Sequence, residues 1–187
     1  MLNEYFAIMV DIINRNGGVV DKFIGDAIMA VWGAPESSAD DAKNAVKACL
    51  QMRMALAELN ELRISRHQDP IHIGMGLHAG DAISGTIGSN ERMEYTVIGN
   101  TVNTASRVEA STKSFGADLL ITEQVLEKLN DSFTVNLAGA AEVKGRTEAI
   151  KMYKVTGYIT NTGDHIEVTT PYSEYIAENS DKIKKVS

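Results

Sequence analysis

Residues 19–33 read Val-Val-Asp-Lys-Phe-Ile-Gly-Asp-Ala-Ile-Met-Ala-Val-Trp-Gly. Two β-rich runs, Val19 to Ile24 and Ala27 to Trp32, flank Gly25-Asp26, a dipeptide suited to a tight turn, so the spacing predicts a β-hairpin. Ahead of it, Leu2, Phe6, Met9, Val10 and Ile13 recur at helical spacing over residues 2–15, and Gly17-Gly18 ends that helix. Behind it, Pro35 and Ser37-Ser38 mark a loop. Ala42, Ala45, Cys49, Met52, Leu56 and Leu59 then define a long helix over about residues 39–63.

From Ile71 the period changes to two. Ile71, Ile73, Met75, Leu77 and Ala79 share one face of an expected strand, and His72, Gly74, Gly76 and His78 share the other. Glycines on one face let another element approach closely. Gly80 to Gly99 reads as a second strand pair with an exposed loop at Ser89-Asn90-Glu91-Arg92. Thr101 to Ser111 reads as a helix with Val102, Ala105 and Val108 inward, and Leu119 to Ile121 as a short strand. Thr122 is placed to cap a helix bearing Val125, Leu126 and Leu129. Strands near 133–138 and 149–156 enclose a turn at Lys144-Gly145-Arg146. The residues from Tyr158 onward are polar. The chain therefore divides into a domain of residues 1–157 and a tail or linker of residues 158–187. The fold class is α+β, with helices on one or both faces of a mainly antiparallel sheet.

A length of 187 residues, 44% of them hydrophobic and 23% charged, suits one globular domain with a real core. Eighteen basic against 25 acidic residues give a net charge of -7, which argues against binding nucleic acid or an anionic membrane through bulk charge. Cys49 is the single cysteine, so no intrachain disulfide or thiolate cluster forms, and a reducing cytoplasm is the natural setting. No apolar run approaches the ~20 residues that span a bilayer, and the opening residues lack the pattern of a signal peptide. The four histidines have no metal-ligand spacing, and neither a phosphate-binding G-x-x-x-x-G-K-[ST] loop nor a G-x-S-x-G elbow occurs. Gly74-Met-Gly-Leu-His-Ala79 fits a loose dinucleotide pattern but lies within a strand, where that motif has no meaning.

A set of polar residues at special backbone positions remains. Asp26 sits at the hairpin tip, where a rigid carboxylate suits a magnesium ion or simply serves the turn. Lys22 interrupts an apolar strand, either on its solvated face or for a purpose. Asn103 and Arg107, four apart on a helix, point the same way. Thr96 stands between Tyr95 and Val97 in a strand. Lys144 and Arg146 flank a glycine in a turn that would suit a polyphosphate. Each has an ordinary structural reading when taken alone.

Their joint context is more specific. Val20 to Gly33, Gly74 to Gly88, Glu94-Tyr-Thr-Val-Ile-Gly-Asn-Thr-Val-Asn-Thr-Ala-Ser-Arg-Val-Glu109 and Val143-Lys-Gly-Arg146 together resemble the class III nucleotidyl cyclase catalytic domain, over residues 2 to about 156. The resemblance implies a ferredoxin-like cyclase fold and a head-to-tail homodimer whose sites draw on both protomers. It also implies conversion of a nucleoside triphosphate to a 3′,5′-cyclic nucleotide and pyrophosphate with two divalent ions, Mg²⁺ or Mn²⁺. By the same resemblance Asp26 is one metal ligand, and Lys22 and Thr96 select the base. Asn103 orients the ribose, Arg107 stabilises charge on the α-phosphate, and Lys144 with Arg146 holds the β- and γ-phosphates. Asp26 would serve one site while the others serve its twin. Guanylyl cyclases typically place Glu and Cys at the base-selecting pair, so ATP is the expected substrate, with cyclic AMP as product.

One departure stands beside the match. The family's first strand, which carries the other metal aspartate, would precede Met1 and is not in this sequence. Low activity of this polypeptide is therefore expected, as is an open place in the sheet, filled either by the alternating stretch His165 to Thr170 or by a segment swapped from another copy. A guanylate cyclase and a catalytically dead nucleotide-binding or dimerisation module remain as alternatives.

Overall fold

The computed structural model describes residues 2–89, 91–142, 149–177 and 184–186. The first helix, α1 (Leu2–Arg15), buries Tyr5, Met9 and Ile13, one side chain per turn of a single stripe. It leads through Gly17-Gly18 into the expected hairpin, β1 (Val19–Ile24) and β2 (Ala27–Val31). Gly18 is required there, since a Cβ would lie 2.6 Å from the Trp32 ring. The Trp32 indole N–H donates to the carbonyl of Asn16 at 2.9 Å, locking hairpin to helix.

The long helix α2 (Asp41–Ser65) packs beside α1. After it come β3 (Met75–Leu77), a second hairpin of β4 (Ile83–Ser89) and β5 (Arg92–Ile98), and α3 (Asn100–Phe115). Then follow β6 (Leu119–Thr122), the one-turn α4 (Glu123–Leu126), β7 (Phe133–Glu142), β8 (Ile150–Ile159), β9 (His165–Glu167) and β10 (Lys184–Val186). The main sheet runs β10-β7-β8-β6-β3, with β9 added to β8 and only the β3–β6 pair parallel. The two hairpins form separate two-stranded sheets. The architecture is thus α+β and mainly antiparallel, as expected.

Every residue of β6 is buried, which identifies it as the centre of the layers. Leu119 and Ile121 join Met9, Val46, Cys49, Leu56 and Val155 in a core beneath α1 and α2. Leu120 points the other way, into a second cluster with Val108 of α3, Ala141 and Met152. Helices therefore cover both faces. The glycine face of β3 does admit a close neighbour: a Cβ on Gly76 would meet the backbone N of Glu109 and lie 2.6 Å from its Cα, so α3 rests directly on the strand.

Four expectations are corrected. The strand read over 71–79 is regular only at Met75–Leu77, because the Asn60 side chain takes both backbone groups of Ile71 (2.7 and 2.8 Å) in place of a partner strand. Thr122 makes no side-chain cap; its hydroxyl lies 2.9 Å from His78 Nδ1. The stretch after Tyr158, read as a tail or linker, packs on the domain up to Ala177. Here β9 pairs with β8, Val168 O accepts from Arg53 Nη1 at 2.6 Å, Ser173 O accepts from Asp118 N at 3.0 Å, and the Tyr175 hydroxyl donates to Ala117 O at 3.0 Å. Finally, the His165 to Thr170 stretch does not fill an open place beside β3: its strand lies on β8, and among the described residues nothing pairs with the outer edge of β3. Among the described residues, no helix is long and apolar enough to cross a membrane.

Candidate functional site

The first hairpin is not a regular ladder. Val20 faces Ala30 and Lys22 faces Met29, so Asp21 is an extra residue, a β-bulge. The bulge turns Asp21 toward β5. One carboxylate oxygen, Oδ2, accepts from the Thr96 hydroxyl at 2.8 Å, and the other, Oδ1, from the backbone N–H of Val97 at 3.1 Å. The Lys22 ammonium lies 3.5 Å from Oδ2. The Asp21 side chain is 6% exposed and that of Lys22 36% exposed. Lys22 and Thr96, predicted as a pair, are thus brought together, and the residue that joins them was given no role from the sequence. Its one sequence signal was an acid in an apolar strand beside a lysine.

Thr96 continues into the second group. β5 passes through Gly99, at φ 142°, into α3. Asn103 and Arg107 lie one turn apart on this helix, the former exposed and the latter half-buried. The helix is fixed by buried Val108 and Thr104, by Thr101 donating to Asp81 O at 2.5 Å, and by Ser111 donating to Arg107 O at 2.7 Å. Thr96, Asn103 and Arg107 therefore belong to one continuous strand–glycine–helix piece.

Asp26 forms a third group. It is exposed at the turn that Gly25, at φ 64°, makes possible. Its charge is felt by α1 and α3. Burial pushes the Tyr5 hydroxyl up from its ordinary value, and Asp26 adds to the rise. Burial also pushes the Glu109 carboxyl up, with Lys113 pulling it back and Asp26 raising it further. The Glu109 carboxyl lies over Gly74, where a Cβ would sit 2.9 Å from Oε1. Among the described residues no group of three or more His, Cys, Asp or Glu side chains could hold a metal ion. The described residues therefore do not make a metal centre by themselves, and Asp26 fits a divalent ion only together with phosphate oxygens of a ligand. Lys144 and Arg146 lie outside the described residues.

Large apolar side chains stand exposed on both hairpins: Val19, Phe23 and Ile24 on β1, Ile83 and Ile87 on β4, and Met93, Tyr95 and Ile98 on β5. A surface of this kind is a common mark of a protein interface. A cleft lined by Arg53, Asp118, Lys154, Ser173 and Glu174 lies elsewhere and holds none of the predicted site residues.

Comparison with known proteins adds the following. The family model for the adenylate and guanylate cyclase catalytic domain matches residues 1–157. An adenylate cyclase of Anabaena cylindrica is 40% identical over 163 residues, covering 82% of this chain and 31% of its own length. Adenylate cyclase 1 of Rhizobium meliloti is 31% identical over 159 residues, covering 85% of this chain and 24% of its own length. This chain thus spans a third or less of these relatives. Among solved structures, the guanylyl cyclase Cya2 superposes with a TM-score of 0.79 at 33% identity, covering 90% of this chain and 83% of that one. The adenylyl cyclase CyaB from P. aeruginosa gives 0.77 at 31% identity, covering 82% and 79%.

Proposed function

The chain belongs to the adenylate and guanylate cyclase catalytic domain family, and we propose that it takes ATP and forms 3′,5′-cyclic AMP and pyrophosphate. The observation that carries the choice of base is the meeting of the Lys22 ammonium and the Thr96 hydroxyl at one carboxylate. An ammonium donates to adenine N1, and a hydroxyl oxygen accepts from the 6-amino group. Guanine presents the opposite pattern at both atoms. The two adenylate cyclases at 40% and 31% identity favour the same reading.

In the reaction the ribose 3′-hydroxyl loses its proton to water as its oxygen bonds to the α-phosphorus, the bond to the α,β-bridging oxygen breaks, and pyrophosphate leaves with the electron pair. Asn103 orients the ribose. Arg107 stabilises charge growing on the α-phosphate, the role of a preorganised cation, and Lys144 with Arg146 binds the β- and γ-phosphates. A Mg²⁺ or Mn²⁺ ion, held by Asp26 with the phosphates, would lower the charge barrier to attack. The exposed apolar hairpins favour a head-to-tail homodimer in which Asp26 of one protomer serves the nucleotide held by its partner. Residues 1–157 form the catalytic unit, in the cytoplasm with its ATP, and the strap after β8 braces it.

The test offers equimolar ATP and GTP with Mg²⁺ or Mn²⁺ and measures both binding and cyclic product. Preference for ATP supports the proposal. Preference for GTP replaces it with a guanylyl cyclase, and binding with no product at any enzyme concentration replaces it with a nucleotide-binding module.

A further inference from the structure

We propose that Asp21 is a specificity-determining positioning residue: it fixes the direction of the Thr96 hydroxyl, so that this group can only accept a hydrogen bond from a purine. The inference rests on the reading of Lys22 and Thr96 as the base-selecting pair and goes beyond it.

A threonine hydroxyl is ambidextrous, with one hydrogen to donate and lone pairs that accept. Left alone it rotates to meet either the amino group of adenine or the carbonyl oxygen of guanine, and discriminates poorly. In this structure it is not left alone. An ionised carboxylate accepts only, so at 2.8 Å the Thr96 hydrogen must point at Asp21 Oδ2. What the hydroxyl keeps for any other partner is a lone pair. The same oxygen lies 3.5 Å from the Lys22 ammonium, whose remaining hydrogens stay available as donors. One carboxylate thereby sets an acceptor and a donor side by side, the complement of adenine's amino group and N1.

The backbone is arranged to deliver it. Without the bulge, Asp21 would take its place in the β1–β2 ladder and alternate with Lys22; with it, the carboxylate reaches across to β5. The second oxygen is occupied by the Val97 N–H at 3.1 Å, so the carboxylate cannot swing away.

Asp21→Asn makes a directional test. The Val97 N–H still demands an acceptor and takes the amide oxygen, which leaves the amide nitrogen against Thr96. That nitrogen donates, occupies the hydroxyl lone pair and turns the Thr96 hydrogen outward. The readout is the affinity of the chain for ATP and for GTP, each measured by displacement of a fluorescent ATP analogue, on wild type, Asp21→Asn, Thr96→Val and the double variant. We expect the ATP-to-GTP affinity ratio to fall roughly tenfold to a hundredfold in Asp21→Asn, the scale of a buried polar group facing its like. Thr96→Val should also lower the ratio, and Asp21→Asn added to it should change the ratio no further. If Thr96→Val lowers the ratio and Asp21→Asn weakens both nucleotides equally or neither, Asp21 is merely structural and the inference is overturned. If Thr96→Val leaves the ratio unchanged, or wild type does not prefer ATP, the base-site reading itself fails. Should Asp21→Asn not fold, the wild-type chain decides by NMR. The Thr96 hydroxyl proton should exchange slowly and stay directed at Asp21 when ATP binds; a freely exchanging proton overturns the inference.

Discussion

Replacing Arg53 by methionine would break the most buried ion pair among the described residues and should be the most damaging single change away from the nucleotide site. The Arg53 and Asp118 side chains are 3% and 6% exposed. The guanidinium grips the carboxylate by two bonds, Nε to Oδ2 at 2.7 Å and Nη2 to Oδ1 at 2.6 Å, and spends a third on Val168 O at 2.6 Å. Methionine keeps most of the volume and removes all three donors. Asp118 is then a buried charge with no counter-ion, and loss of one partner of such a pair costs about 3–5 kcal/mol. For a chain of this size that is a fall of roughly 6–20 °C in melting temperature. The dependence on pH follows. Burial already pushes the Asp118 carboxyl up from its ordinary value of 3.8, with Arg53 holding it back. Without Arg53 it rises further. A native carboxyl that binds its proton more tightly than the unfolded one destabilises the fold only when ionised. The cost should vanish below the ordinary value and grow as pH climbs through the window up to the raised one. Urea unfolding of wild type and Arg53→Met at pH 7 and pH 4 measures this: the gap should be wide at pH 7 and narrower at pH 4. The paired change Arg53→Met with Asp118→Leu should recover much of the loss, because the stranded charge is gone. A gap under about 1 kcal/mol, equal at the two pH values, refutes the reasoning.

Two further outcomes test the packing. Cys49 is 3% exposed, and its thiol is pushed up to about 12 by burial, Arg53 pulling down and Asp118 pushing up, so it should not react with a thiol reagent at pH 8 until the chain unfolds. Labelling measured across a urea series should track the unfolding transition, and prompt labelling in buffer would contradict the core as described. Gly76→Ala would drive a methyl group to 2.6 Å from Glu109 Cα, against backbone that no rotamer change can move, so α3 must shift with Asn103 and Arg107 on it. It should lower stability by about 1–3 kcal/mol and weaken nucleotide binding, both read from one titration series; unchanged binding would separate α3 from the site.

The parts of the fold legible in the sequence are those whose cause is local and periodic. The stripe of Met9 and Ile13, the Gly25-Asp26 turn and the bare face of Gly74 and Gly76 each state their structure within a few residues. The illegible parts depend on partners far away or on the main chain. Arg53 and Asp118 are 65 residues apart, and nothing in α2's own pattern singles out an arginine to be buried. The strap after β8 looked like a solvated tail because polarity counts side chains. It is held largely through its main chain, by β9 on β8 and by the carbonyls of Val168 and Ser173, with the Tyr175 hydroxyl adding a side-chain bond. The site shows the same division. Lys22, Thr96, Asn103 and Arg107 are singled out only by the family resemblance of the stretches that carry them, and Asp21 joins two of them through a bulge, a break in period-two alternation that alternation cannot predict.

That joint gives the proposed site its rigidity. The second hairpin belongs to no larger sheet, and a lone two-stranded ribbon has marginal stability, whereas the first is already fixed to α1 through Trp32. Asp21 bonds one hairpin to the other at Thr96 and Val97, and the second runs through Gly99 directly into α3, which is seated on β3 at Gly76. The base-reading end and the phosphate-reading end of the proposed ligand are thereby parts of one braced path that ends on the buried sheet. The Asp21→Asn and Gly76→Ala variants probe opposite ends of that path: the first should alter which base is bound, the second how well either nucleotide is held. Were the two to produce the same change in the ATP-to-GTP ratio, the path would not be divided into a reading end and a holding end as argued.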